Sequence, residues 1–346
     1  MTTFLRALLT IAISIAGGFL VNLTGLPAGW LMGGALAVAA AAISGLPVSF
    51  PGWVRDATFV FAGMSMGASV TRDSFALIFQ WPVTLAALVV ELVLIVTVTG
   101  YMLRKLFGLD RGTAYLSSFP GHLAFVMGIA AAGVGDPRQI TIIQVIRILM
   151  LTTAVPIGAL FLPVGPDIAL AASQAPAGWL NLALILVICA ATGLVFQRLR
   201  VPAAFAMGAM AASLTAKFTG IFEGAMPQEL LIAIYVMIGG LIGSRFAGIT
   251  VAEFRAAATG GLIATALTIA IVTIVSYGAS TLVDMPFGQI WLGLSPGALE
   301  GMGILGIALG FDTAFIAAHH VARLLMLTVA IPVVALLVRE TDEVKE

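Results

Sequence analysis

Arg147 and Arg323 each stand inside a long apolar run, and each follows an aspartate by 11 residues, Asp136 and Asp312. An arginine at the centre of a bilayer costs about 3 kcal/mol on insertion scales, so each needs a partner or a polar cavity. A guanidinium can fork onto a carboxylate or phosphate with two parallel hydrogen bonds, which an ammonium cannot. Gln144 and His320 precede the two arginines by three positions and share their helical faces. If each helix starts just after its aspartate, the guanidinium lies ~14 Å along it, near the membrane midplane. Two readings stay open for each arginine: contact with an anionic solute, or a structural cation tied to backbone carbonyls or to a buried carboxylate. Asp136 and Asp312 are expected to be N-caps of the helices that follow them.

The two arginines belong to a duplication. Pro120, Gly121, Asp136, Arg147 and Pro156 recur as Pro296, Gly297, Asp312, Arg323 and Pro332, all at an offset of 176. Gly63 and Gly67 recur as Gly239 and Gly243 at the same offset, and Pro27-Ala28-Gly29-Trp30 recurs as Pro202-Ala203-Ala204-Phe205 at 175. Before each arginine helix lies a short Gly-rich apolar stretch, opened by Ser118-Phe119-Pro120-Gly121 in one copy and Ser295-Pro296-Gly297 in the other. A proline suits the first turn of a helix, where its missing N–H costs nothing. Pro120 and Pro296 are therefore expected to start half-helices whose N-terminal N–H groups point inward and cradle an anion.

Other ionisable groups are few. Glu300 occupies the second Gly-rich stretch where the first copy has Ala124, and it is expected either to handle protons or to pair with Arg323. Glu91 lies mid-span, with Arg147 as a candidate partner. His122 sits at the first tip, while His319 and His320 are adjacent and point about 100° apart, so they do not share a metal readily. Cys189 is the single cysteine. No metal site and no cofactor are expected. Ser118 with His122 is the sole nucleophile–base candidate, and the chain is not expected to be an enzyme.

At 61% hydrophobic and 9% charged, with mean hydropathy +1.13, the 346 residues read as an all-α polytopic membrane protein rather than a soluble domain. Zero net charge leaves no electrostatic footprint for nucleic acid. Apolar spans are expected at 4–22, 28–46, 53–70, 77–103 and 139–162, then at 178–197, 201–219, 229–247, 257–281 and 314–338. The first is expected to be a helix rather than a signal peptide, and no soluble domain is expected at either end. If the Gly-rich stretches 117–135 and 293–311 dip in and return, 12 of the basic residues outside the membrane fall on the side of the N-terminus and 2, Arg72 and Lys217, on the other. If they cross, the split is about 8 to 6. The positive-inside rule favours re-entrance. Each half then has five spans and one re-entrant half-helix, repeat 1 over 1–165 and repeat 2 over 176–340, and the odd number inverts the second copy. Both termini are expected in the cytoplasm.

Pro27-Ala28-Gly29-Trp30-Leu31-Met32-Gly33, and Ser118-Phe119-Pro120-Gly121 with Asp136, Gln144 and Arg147, resemble the AbrB family of bacterial membrane proteins. The second copy adds Ser295-Pro296-Gly297 with Glu300, Asp312, His320 and Arg323. His122 and Leu294 depart from the duplicated pattern. The resemblance implies a transporter, the label the family often carries; its other labels are ammonia monooxygenase and regulator of gene expression. The monooxygenase label is at odds with three dispersed histidines, since oxygen chemistry needs a ligand cluster with open positions. The expected function is an elevator-like secondary transporter in the bacterial inner membrane, carrying a small organic anion with protons rather than sodium. The expected contacts are Ser118, Pro120, Gly121, His122, Gln144, Arg147, Ser295, Pro296, Gly297, Glu300, His320 and Arg323. Partners are the anionic solute and the lipid bilayer, with a homodimer expected by analogy. The alternative is a membrane sensor or regulatory protein without transport.

Overall fold

The computed structural model describes residues 2–70, 78–161, 177–222, 224 and 226–343. Arg72, Lys345 and the junction between the expected repeats at 165–176 lie outside them. Every regular element among the described residues is helical, as a polytopic membrane chain requires when no water satisfies its backbone. The helices are α1 (Thr3–Asn22), α2 (Gly29–Ile43), α3 (Gly52–Ser69), α4 (Trp81–Phe107), α5 (Arg111–Ser118), α6 (Leu123–Ala131) and α7 (Pro137–Ala159). The second half continues with α8 (Trp179–Arg198), α9 (Ala204–Phe218), α10 (Gln228–Ser244), α11 (Val251–Ser280), α12 (Phe287–Leu294), α13 (Leu299–Leu309) and α14 (Thr313–Glu343).

Among the described residues, α1, α4, α7, α8, α11 and α14 are long and apolar enough to cross a membrane. The expected spans 28–46 and 201–219 shrink to 15 residues each. The reason is local. Ala203 takes a left-handed conformation at φ 48° and delays α9 to Ala204, while α2 starts just after left-handed Ala28 (φ 53°) and stops at Ile43, ahead of Gly45 at φ +88°. Two alanines at equivalent positions in this costly region repeat the duplication in backbone geometry.

The chain divides into two compact units, neither of which follows a sequence half. The first contains residues 1–79, 152–248 and 299–317. Its centre is made by α3 against α9 and by α2 against α10. Bare glycine surfaces let these backbones meet, as small residues do in membrane interfaces. A methyl at Gly63 or Gly67 would strike the Ala206 or Met210 carbonyl oxygen, and one at Gly239 or Gly243 the Leu31 or Ala35 carbonyl oxygen. Contacts advance in the same direction along both members, so α3 runs parallel to α9 and α2 parallel to α10. The Ser213 hydroxyl donates to Met64 O at 2.8 Å, and the Ser14 hydroxyl to Val236 O at 2.6 Å. By contrast α1 and α2 are antiparallel, since Gly17 lies by Gly33 and Asn22 by Gly29. The Ser49 N–H donates to the Thr10 hydroxyl at 3.0 Å, and the charge of Arg55 in the first turn of α3 acts on Arg245 at the end of α10, so α3 sets out from the end of α2 and runs in the opposite direction to α2 and α10.

The second unit contains residues 80–151, 249–298 and 318–346. Here α4 packs on α11, α12 and α5. A π-helical turn, Ile95–Thr99, interrupts α4 where it meets α5, and the Tyr115 ring lies over Gly100 just beyond it. Such bulges gather at functional positions. A capping box of Thr250 and Glu253 starts α11, and Glu253 also pairs with Arg138 at 2.8 Å.

Adding a methyl at Gly63 overpacks backbone against backbone, at a cost of about 1–3 kcal/mol. Gly63→Ala therefore lowers the thermal unfolding midpoint of the detergent-solubilised protein. Gly278→Ala in α11, where nothing lies within 4 Å of the added atom, leaves the midpoint unchanged or raises it.

Candidate functional site

The two Gly-rich stretches are broken helices, and the break itself is where the duplicated residues lie. In the first copy α5 ends at Ser118, and Phe119 turns extended at ψ 124°. Gly121 follows at φ +129° and His122 at φ +57°, and only then does α6 begin. In the second copy α12 ends at Leu294 and Ser295 takes ψ 127°. The Gly121 N–H donates to Phe119 O at 2.9 Å, and the Gly297 N–H donates to Ser295 O at 3.0 Å, the same tight turn twice. The structure corrects the expected role of Pro120 and Pro296. They lie within the breaks and not in a first helical turn, because a residue before proline is driven to extended backbone and stops the preceding helix.

In the second unit the first broken segment closes on itself. The Asp136 N–H donates to the Thr113 hydroxyl at 2.6 Å, and Gly112 packs directly on the Gly135 backbone. The chain thus enters at the start of α5 and leaves beside the same point after α6.

The arginines take a role different from facing helix N-termini. Arg147 donates from Nη1 to Ser117 O (3.3 Å) and Ser118 O (3.4 Å), and from Nη2 to Phe119 O (2.7 Å). Gln144 donates to Leu116 O at 3.2 Å. In the second copy Arg323 Nη1 donates to Leu294 O at 3.0 Å. Each guanidinium therefore caps the C-terminal carbonyls of the preceding half-helix, where orphan acceptors and the negative end of the dipole favour a cation. The caps leave donors over. Arg147 Nε and Arg323 Nη2 have no hydrogen-bond partner among the described residues, although Arg147 is 5% exposed and Arg323 2%. The charges of the two arginines act on each other.

Glu91 is fully buried, and neither carboxylate oxygen has a hydrogen-bond partner among the described residues. The arginine whose charge acts on it is Arg323, not the expected Arg147. One contact explains this. The Thr84 hydroxyl and His319 Nε2 are 2.7 Å apart, and the Trp81 ring sits edge-on to His319. They turn the face of α4 that carries Thr84, Leu88 and Glu91 toward the face of α14 that carries His319 and Arg323. Glu300 belongs to the first unit, where the charges that act on it are Arg245 and Arg55.

The remaining candidates are placed as follows. The Ser118 hydroxyl donates to Ala114 O at 2.8 Å and the Ser295 hydroxyl to Trp291 O at 2.7 Å, so each is turned back onto its own helix. His122 is half-buried, within 3.3 Å of the Thr328 hydroxyl. Gly121 faces Leu324 and Leu327, which brings the first break against the helix of Arg323. His320 is buried. Asp136 Oδ1 accepts from the Arg138 N–H and Asp312 Oδ1 from the Ala314 N–H, both at 2.8 Å, so both cap their helices. Backbone carbonyls were one of the two partners expected for the arginines; that they are the ends of α5 and α12, and that Thr84 takes part, was not expected. The spacing of Thr84, Leu88 and Glu91 along one helical face was the available signal for Thr84.

A family model described as "Transition state regulatory protein AbrB" matches residues 30–339. The chain belongs to the AbrB family. Among relatives in that family range, a Bacillus subtilis (strain 168) protein named "Uncharacterized protein YhjN" is 23% identical over 370 residues, covering 95% of this chain and 92% of its own. An Escherichia coli (strain K12) protein named "Putative regulator AbrB" is 25% identical over 316 residues, covering 90% of each.

Removing the Arg147 guanidinium strips three buried carbonyls of a charged donor, each bond worth about 1.5–3 kcal/mol. Arg147→Ala is expected to lower the unfolding midpoint strongly. Ser118→Ala, which loses only a bond within its own helix, changes stability by about 1 kcal/mol or less.

Proposed function

We propose that the chain is a secondary active transporter for a small organic anion in the bacterial inner membrane. The observation that carries this reading is the pair of buried guanidiniums at the ends of two broken half-helices, each with a donor left over. A buried polar atom without a partner calls for an explanation, and an anion that borrows the Arg147 Nε and Arg323 Nη2 donors supplies one. Among the described residues of the second unit, two buried guanidiniums stand against one buried carboxylate, that of Glu91, an excess of positive charge that suits a negatively charged guest.

The parallel courses of α3 with α9 and of α2 with α10 support two copies of opposite orientation. Copies inserted the same way up would place those helices antiparallel, because α2 and α3 are antiparallel within one copy. The self-closing segment 111–136 supports re-entrance. Inverted repeats with interrupted helices are a recurrent construction of secondary transporters. The gathering of both arginines and both breaks in one compact unit supports an elevator-like cycle, with that unit as carrier and the other as scaffold. Both termini are then cytoplasmic. A regulatory role without transport is the competing reading; the descriptions of the family and of the Escherichia coli relative favour it.

Uptake of radiolabelled small carboxylates into proteoliposomes separates the two. Transport predicts uptake by the unaltered protein that Arg323→Lys weakens about 10- to 100-fold, the worth of one charged hydrogen bond. An unchanged unfolding midpoint would show that the variant is folded. No uptake of any carboxylate, or full uptake by folded Arg323→Lys, overturns the reading.

A further inference from the structure

We infer that Glu91 is the proton site of the second unit, and that it takes up a proton when a dicarboxylate settles on Arg147 and Arg323. This rests on the anion-transport reading above and deepens it. Three observations point to Glu91 rather than to Glu300 or a histidine. It is the one acidic residue of α4, it is fully buried, and both its oxygens lack hydrogen-bond partners among the described residues. It shares a unit with both arginines, whereas Glu300 does not. The charge that acts on it is that of Arg323, on the helix that Thr84 meets through His319.

The surrounding charges are few. From α14 come His319, His320 and Arg323. On α11 no titratable side chain lies between Arg255 and Tyr277, both exposed, and Glu253 is held by Arg138. From α12 there is none. α5 brings Arg111 and Tyr115, the latter over Gly100, nine positions beyond Glu91. Asp284 sits by Gln80, ahead of the start of α4, and Arg104 and Lys105 lie near its far end.

Two guanidiniums and an ionised Glu91 sum to one positive charge; with Glu91 protonated they sum to two. A dianion seated on Arg323 competes with the Glu91 carboxylate for the same cation, and like charges sharing one site drive one of them to accept a proton. That proton comes from the aqueous phase onto a Glu91 oxygen and returns there when the dianion leaves. No other bond forms or breaks. Because coupling is reciprocal, protonation of Glu91 tightens dianion binding by the same factor. The apolar residues Ala266 and Leu267, at the offsets that relate the copies, give α11 no second carboxylate, so the coupling belongs to one half alone.

The test places the full chain in nanodiscs in weakly buffered alkaline solution, where the empty protein holds Glu91 ionised, with a pH-indicator dye, and adds succinate as the probe. Wild type should take up about one proton for each succinate bound, the stoichiometry of a single linked site. Glu91→Gln should bind succinate with no proton uptake, and Glu91→Asp should retain both. Succinate binding without proton uptake in wild type overturns the inference while leaving anion binding intact, as does undiminished uptake in Glu91→Gln. Absence of binding by succinate, malonate and sulfate alike overturns the anion reading on which it rests. A readout free of ligand stands beside these: infrared difference spectra between acidic and alkaline buffer should show, in wild type, a carboxylic-acid carbonyl component that is missing from Glu91→Gln. Identical carbonyl bands in wild type and Glu91→Gln overturn the assignment.

Discussion

A helix that stops inside a membrane protein leaves its last carbonyls with no water to turn to, and here that debt is met by arginine. Arg147 reaches the Ser117, Ser118 and Phe119 carbonyls, and Arg323 reaches that of Leu294. Neither partner is tolerable alone. A bare guanidinium at such depth is expensive, and so is a run of orphan acceptors. Together they fix where α5 and α12 end, which in turn fixes the breaks at Pro120 and Pro296. The residual donors, and so any capacity to hold an anion, are a by-product of the mismatch between five guanidinium N–H groups and the fewer carbonyls within reach.

The first unit has the opposite character. It is held by backbone proximity at Gly63, Gly67, Gly239 and Gly243, with serine hydroxyls crossing from one helix to the next at Ser14 and Ser213. Close glycine packing tolerates little change in shape. Under the proposed transport reading, a unit packed this closely suits a scaffold, and the unit with unpaired buried polar atoms suits a carrier.

Much of this could be read from the residues. The long apolar runs located the helices, because hydropathy is decisive where water is absent. Duplication singled out Arg147 and Arg323, since chance does not twice place a cation at the same distance from Asp and Pro. Helices of eight residues were not legible: α5 and α12 show no stretch long enough for a periodic pattern, and their ends are set by an arginine about 30 positions away. Nor were the left-handed turns at Ala28, His122 and Ala203, since none is a glycine and side-chain type gives no hint of positive φ. Which arginine's charge acts on Glu91 depended on the facing of α4 and α14, marked by the Thr84–His319 bond and the Trp81 ring.

The central claim is that the spare donors of Arg147 and Arg323 hold an anion. Crystals of the protein grown with selenate, a dianion with a strong anomalous signal, test it most directly. An anomalous peak inside the second unit, within hydrogen-bond reach of Arg147 Nε and Arg323 Nη2, is the predicted result. Anomalous peaks confined to the molecular surface, with both guanidiniums closed off by protein atoms alone, would contradict it.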